Sequence, residues 1–432
     1  MISVNIIFMF IAAVAFFGFL LNVFFDKLKI TNILPLMLIG LAVGPLLNIV
    51  NTGPGSTIAS LTPFITAVAV AFILFDVGMN INVFKLSRVI VKATKFTFIV
   101  AIVTGIALSL LALLIFQWNL IEAFIFGFAL AGPSSIIVPT LMRLTKAPTD
   151  LGTTLIYEGV ASDSLQLVVP ILLFGLLVGS GITLQGVAYL VIGVIFGSLL
   201  MGIGFAFVML YLLKKFKEYS KEYMWMLTIT MVIAIYGIAQ QLNFSGAFTI
   251  FIFGIVFSNI GSNRFKRNEI NLKDRYGKAK KAVGDFFEKY FSNPDVNYIY
   301  DYQREIVFFT STFFFVYIGM LFSVSELTYF LIAAAVGLTL VVILIRSLFS
   351  NMLNEYIPKD AEKSSVMRRI VSFDVARGIS PAIVATLPLA YGITIPGFLD
   401  MMFLVMLLTN VASTAGVFWA YKNMHRPGQK II

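Results

Sequence analysis

Cysteine is absent from the 432 residues, and histidine occurs once, as His425. Without cysteine there are no disulfides and no thiolate metal sites. No H-E-x-x-H motif is present to hold a catalytic metal, so nothing points to an enzyme or a cofactor. Charge is scarce as well: 12% of residues are Asp, Glu, Lys or Arg, against 59% hydrophobic. That balance excludes both a water-soluble globular chain and a disordered one. The N-terminus lacks a basic region and a small-residue cleavage pattern, so its apolar stretch reads as a retained helix. No loop or tail is long enough for a separate sensor domain.

What is present is a series of long apolar stretches. A helix crosses a bilayer with about 20 apolar residues. Thirteen such spans are expected, over 3–25, 30–49, 58–83, 95–116, 119–142, 153–177, 184–213, 223–240, 245–260, 305–324, 327–351, 368–391 and 396–421. The chain thus reads as an all-α membrane protein with one transmembrane domain over 1–432. The net charge of +10 is distributed by side. Of the 31 Lys and Arg residues, 29 lie in the odd-numbered connections and the tail, and the even-numbered connections hold none. By the positive-inside rule the N-terminus is outside and the C-terminus cytoplasmic. The basic balance therefore describes topology and gives no nucleic-acid footprint. Residues 261–304 form a cytoplasmic loop, whose run Asp285–Phe291 suits an interfacial helix. Residues 422–432 form a cytoplasmic tail, in which His425 reads as solvated.

The two remaining bases, Arg346 and Arg377, fall inside spans 11 and 12, and acids fall in spans 3 and 6 as Asp76, Glu158 and Asp163. A carboxylate near the bilayer centre costs roughly 2.5–3.5 kcal/mol on insertion scales. Such acids mark ion paths, proton relays or buried pairs. At 1.5 Å per residue Arg377 lies roughly 13 Å deep, Glu158 about 9 Å and Asp163 about 16 Å. Buried charges persist when paired, and similar depth pairs Glu158 with Arg377; Asp76 reads as the partner of Arg346, with a second proton acceptor as its alternative. Five residues on a helix turn about 140°, so Glu158 and Asp163 face different spaces. The bland alternative for Asp163 is one more ion pair.

Two spans carry interruptions: Ala131-Gly132-Pro133-Ser134-Ser135 in span 5 and Ala376-Arg377-Gly378-Ile379-Ser380-Pro381 in span 12. Gly with Pro removes an intrahelical hydrogen bond and admits an unwound stretch. Such backbone survives in a membrane only where it is buried or lines a cavity. Paired interruptions at matching places in two halves point to a transport site. The offset of seven spans is odd, so the halves would be an inverted repeat. Spans 1–6 (about 3–177) and 8–13 (about 223–421) are its members, with span 7 (about 184–213) as linker.

These segments resemble the monovalent cation/proton antiporter superfamily, in its Na+/H+ exchanger, NhaP-like branch. Leu74-Phe75-Asp76-Val77-Gly78-Met79-Asn80 is similar to the family's L-F-E-x-G-x-N, and Glu158-x-x-x-Ser162-Asp163 to its E-x-x-x-N-D. Phe313–Gly319 is similar to F-F-F-V-x-x-G, Arg346 to the basic position of the eleventh helix, and Arg377-Gly378 to the R-G of the twelfth. Two departures are visible: Ala131-Gly132-Pro133 stands where T-D-P is usual, and Ser162 where Asn is usual.

The resemblance implies Asp163 as the shared cation and proton site, and Glu158 with Arg377 as a stabilising pair. Ser162, Ser134, Ser135 and the backbone at Gly132 would add oxygen ligands of the kind hard cations take. Burial disfavours a charged carboxylate, so Asp163 could hold a proton or, after releasing it, a monovalent cation. The expected activity is antiport of Na+, or Li+ or K+, against H+ by alternating access. Ser162 is not acidic, which favours electroneutral exchange. The resemblance also implies a homodimer in a prokaryotic cytoplasmic membrane, serving sodium transport and pH homeostasis. The alternative is a Na+-coupled symporter of a small organic anion, served by an unpaired Arg346 or Arg377.

Overall fold

The computed structural model describes residues 12–21, 23, 33–50, 56–80, 88–134, 148–178, 196–216, 221–261, 297–324, 327–357 and 361–424. Among these residues every regular element is helical. We number the helices α1 (Ala12–Leu21), α2 (Ile33–Leu41), α3 (Thr62–Asn80), α4 (Arg88–Phe116), α5 (Leu120–Ala129), α6 (Thr149–Val178) and α7 (Ser198–Lys215). They continue as α8 (Lys221–Gln241), α9 (Gly246–Gly261), α10 (Asn297–Leu321), α11 (Tyr329–Phe349), α12 (Ala361–Phe373), α13 (Ile379–Ala390) and α14 (Phe398–Met424). Eight of the described helices are long and apolar enough to cross a membrane: α3, α4, α6, α7, α8, α10, α11 and α14. Five shorter apolar helices are α1, α2, α5, α9 and α13, with α2 running on through a π-helical turn to Leu46.

Local sequence explains several of these boundaries. Asn119 caps α5 by accepting from the Glu122 amide, and the Glu122 carboxylate accepts from the Asn119 amide in return, each at 2.9 Å. This capping box satisfies two of the amides that a helix start leaves over. Thr328 caps α11 through the Leu331 amide at 3.2 Å. The tight link from α8 to α9 turns on Asn243, whose φ of 59° is a conformation asparagine tolerates better than most residues.

The chain packs as two compact units. One is drawn from Met1–Thr66, Arg88–Pro170 and Ser311–Ile432, the other from Ala67–Ser87 and Ile171–Thr310. The expected repeats follow sequence order, and each unit takes residues from both of them. In the first unit α2 and α10 touch backbone to backbone. A Cβ on Gly40 would lie 2.9 Å from Gly319 Cα, and one on Gly319 would lie 3.0 Å from Gly40 Cα. Small residues allow this approach, which replaces the hydrophobic drive that lipid cannot supply between helices. Phe96, Leu151, Leu155, Leu353, Val366 and Ile370 form a buried apolar cluster linking α4, α6 and α12. In the second unit Gly78 packs on Gly254, and Phe75 stacks on Phe253 with ring centroids 5.2 Å apart.

Several expected bounds change. Span 5 was to run over 119–142, yet its helix stops at Ala129. The cause is Pro133, which disfavours helical backbone in the residue before it. Span 12 is two helices separated by non-helical residues 374–378. Pro381 does not break a helix there. It is the third residue of α13, where a missing N–H leaves no acceptor unserved. Residues 297–304 of the expected cytoplasmic loop belong to α10. The rest of that loop with Asp285–Phe291, the first half of span 7, Ser135, and the tail from His425 onward lie outside the described residues.

Candidate functional site

The two interruptions meet. Residues 131–134 leave α5 as buried non-helical chain, as do residues 374–378 between α12 and α13. The Ser134 amide donates to the Ala376 carbonyl at 2.8 Å, joining the two strands of unwound backbone directly. Arg377 Nη1 donates to the Gly132 carbonyl at 2.5 Å and to the Val375 carbonyl at 3.1 Å. From α14, Asn410 Nδ2 donates to the Arg377 carbonyl at 2.9 Å. The Ser134 amide and the carbonyls of Gly132, Val375, Ala376 and Arg377 are thus satisfied by the other break or by a buried side chain, as burial favours.

A glycine in each break brings α6 and its partners close. A Cβ on Gly132 would lie 2.5 Å from Ser162 Oγ and 3.3 Å from Gln166 Nε2. A Cβ on Gly378 would lie 2.9 Å from Ser134 Cβ, closer still to Ser134 Oγ, and 3.7 Å from Asp163 Oδ1. Ser380, in the first turn of α13, donates from Oγ to Asp163 Oδ1 at 3.4 Å. Asp163, Ser134, Ser162, Ser380 and the Gly132 backbone therefore share one place at the crossing. Its donors are oxygen-rich and suit a small hard cation. Among the described residues no group of three or more His, Cys, Asp or Glu side chains is disposed to hold a metal ion.

The ion pairs differ from the expected ones. Glu158 does not pair with Arg377. Its carboxylate is gripped by Arg346, with Nη1 to Oε1 at 2.5 Å and Nη2 to Oε2 at 3.1 Å, and both residues are 1% exposed. Arg346 Nε donates to the Val371 carbonyl at 3.0 Å, and Nη2 also reaches Asp374 Oδ2 at 3.3 Å. The planar fork of arginine suits this two-point contact with a carboxylate. Asp76 is not the partner of Arg346: its carboxylate accepts from Asn80 of its own helix at 3.1 Å. Depth along the helices matched the wrong partners because depth carries no information about which faces meet. Arg377 makes no ion pair among the described residues, although it stands within electrostatic reach of Asp374, Glu158 and Asp163.

Four contributors escaped the sequence reading: Asp374, Ser380, Gln166 and Asn410. Asp374 offered a signal, being a further acid in an apolar span and three residues before Arg377. With it, the cluster holds three acids (buried Glu158 and Asp374, part-buried Asp163) and two buried bases (Arg346, Arg377). One carboxylate is in excess.

The family described as "Sodium/hydrogen exchanger, transmembrane" matches residues 11–421. The Na(+)/H(+) antiporter NhaP of Pseudomonas aeruginosa is 28% identical over 166 residues, which are 37% of this chain and 38% of that protein's length. The matched stretch thus spans well under two thirds of that relative. A structure of the sodium proton antiporter MjNhaP1 from Methanocaldococcus jannaschii at pH 8 superposes with a TM-score of 0.67 at 17% identity, covering 98% of this chain and 99% of that one. An electron-microscopy structure of the same antiporter gives 0.66 at 18% identity with full coverage of both. At these identities the likeness establishes the fold.

Proposed function

The chain belongs to the sodium/hydrogen exchanger family, and on that footing we propose that it exchanges Na+, or another monovalent cation such as Li+ or K+, for H+ across a prokaryotic cytoplasmic membrane. The observation that carries this reading is Asp163 at the crossing of the two helix breaks, with Ser380 Oγ 3.4 Å from its Oδ1. Charge bookkeeping supports it. Three carboxylates (Glu158, Asp163, Asp374) stand with two arginines (Arg346, Arg377) in this cluster, and Arg346 holds Glu158 and Asp374. The one carboxylate in excess in this cluster is neutralised equally by one proton or by one monovalent cation. Occupancy by one excludes the other, so the two flows are coupled without any chemical step.

On this reading Asp163 is the shared site, Ser162, Ser134 and the Gly132 backbone surround it, and exchange is one-for-one and electroneutral. Thirteen crossings with the N-terminus outside, an inverted repeat, alternating access and a homodimer complete the proposal. Its role would be sodium transport and pH homeostasis. The symport alternative needs a buried cation for an organic anion. Arg346 is engaged by two carboxylates, while Nε and Nη2 of Arg377 have no partner among the described residues. Those two donors are all that favours symport.

Proteoliposomes loaded with a pH gradient distinguish these readings. Wild type should dissipate the gradient on addition of Na+, and Asp163→Asn should not. Full exchange by Asp163→Asn would sink the proposal, and Na+-stimulated anion uptake without proton movement would transfer it to symport.

A further inference from the structure

Gln166 lies one turn beyond Ser162 on the buried side of α6 and is 1% exposed, yet neither its Nε2 nor its Oε1 has a hydrogen-bond partner among the described residues. The Oγ of Ser162 is likewise buried and without a partner. An amide in a protein interior is almost always bonded, because leaving it unbonded forfeits the solvation it had in water. Both side chains lie at the same point of the fold, against Gly132. On an α-helix, residues three and four apart are neighbours, so Asp163 and Ser162 both flank Gln166.

The backbone adds to this. Pro170 lies inside α6 and has no N–H to give to the carbonyl four residues earlier, which is that of Gln166. The helix therefore offers, on one residue beside Asp163, a side-chain carbonyl oxygen and a main-chain carbonyl oxygen lacking its helical donor. Gly132 contributes no side chain to this space, and its own carbonyl is occupied by Arg377. A neutral oxygen ligand next to a carboxylate suits a monovalent cation that has lost part of its water.

Resting on the antiport reading, we propose that Gln166 is a ligand of the transported cation and sets its apparent affinity and selectivity. Its amide replaces a water of hydration when the cation binds at Asp163. The proton, which needs one oxygen only, makes no use of it. Removing the amide should therefore affect the cation side of the exchange and leave maximal turnover largely intact.

The test is exchange in proteoliposomes for wild type, Gln166→Leu and Gln166→Asn, over concentration series of Na+ and of Li+ at one pH, alongside thermal unfolding in detergent. Gln166→Leu should raise the apparent KM for Na+ about tenfold, the loss expected for one hydrogen-bond-sized interaction. Vmax should stay within about twofold, and the Na+ to Li+ preference should change. Gln166→Asn, whose shorter amide still presents an oxygen, should fall between. An unchanged KM and preference in Gln166→Leu would overturn the inference, as would a fall in Vmax alone. If Gln166→Leu does not fold, Gln166→Asn decides: a KM raised threefold or more supports the inference and an unchanged KM overturns it. Absence of any cation-driven proton movement in wild type would instead defeat the antiport reading itself.

Discussion

Arg346 holds Glu158 by both terminal nitrogens, at 2.5 and 3.1 Å, in a place where neither side chain is more than 2% exposed. The pair ties α11 to α6, and Asp374 at 3.3 Å adds the end of α12. Breaking a buried pair from one side leaves an uncompensated charge and costs about 3–5 kcal/mol. Arg346→Met strands two carboxylates, whereas Glu158→Gln leaves Arg346 with Asp374. Arg346→Met should therefore lower thermal stability in detergent more than Glu158→Gln, and the double variant should be more stable than Arg346→Met alone. Equal and additive losses would show that the pair does not carry the helix contact.

Asp374 sharpens the charge argument. Asp374→Asn removes a single contact at 3.3 Å, so its stability loss should be about 1–3 kcal/mol, below that of Arg346→Met. It also removes the excess negative charge, because two bases then face Glu158 and Asp163 alone. Cation binding at Asp163 should weaken, read as a raised apparent KM for Na+ in proteoliposomes. A KM equal to that of wild type would mean that the cluster does not act on Asp163 as a unit.

Much of this site was legible before the structure, and the part that was not has a physical cause. Helical periodicity is enough to separate Glu158 from Asp163, since five residues turn about 140°. Gly and Pro close together mark the two interruptions, although the two prolines act differently. Pro133 ends a helix through its neighbour and Pro381 starts one. Partner choice was not legible. Glu158 sits at a depth that fits Arg377 as well as Arg346, and the choice depends on how α6, α11 and α12 face one another. Ser380 and Asn410 are ordinary polar residues in apolar spans, and only the crossing gives them an acceptor. Gln166 was open to notice as an amide in an apolar span one turn from Ser162.

Arg377 acts on backbone. Its Nη1 bonds the Gly132 and Val375 carbonyls, one from each break, so it fastens the crossing by donors as much as by charge. Lysine keeps the charge but offers a point donor on a flexible stem, without the guanidinium geometry. Arg377→Lys should thus retain the fold yet lose at least about tenfold in exchange rate, because reacting groups misplaced by 1 Å can cost far more than that. Arg377→Met should be worse in both rate and stability. Full exchange by Arg377→Lys would reduce the residue to a counter-charge.

Gly132 decides how closely α6 can approach the first break. A Cβ there would meet Ser162 Cβ at a distance no real pair adopts, and Ser162 Oγ at 2.5 Å. The obstacle is one short side chain, so it can be removed from the opposite side. Gly132→Ala should destabilise the protein and abolish exchange by displacing α6, and Ser162→Ala should not rescue it, because the blocking Cβ remains. Ser162→Gly in the Gly132→Ala background should restore thermal stability. The double-variant cycle should show coupling of at least about 1 kcal/mol, as residues in direct contact do. Additive effects of the two substitutions would mean that α6 and the break are not in contact at Gly132, and the candidate site would then lose one of its walls.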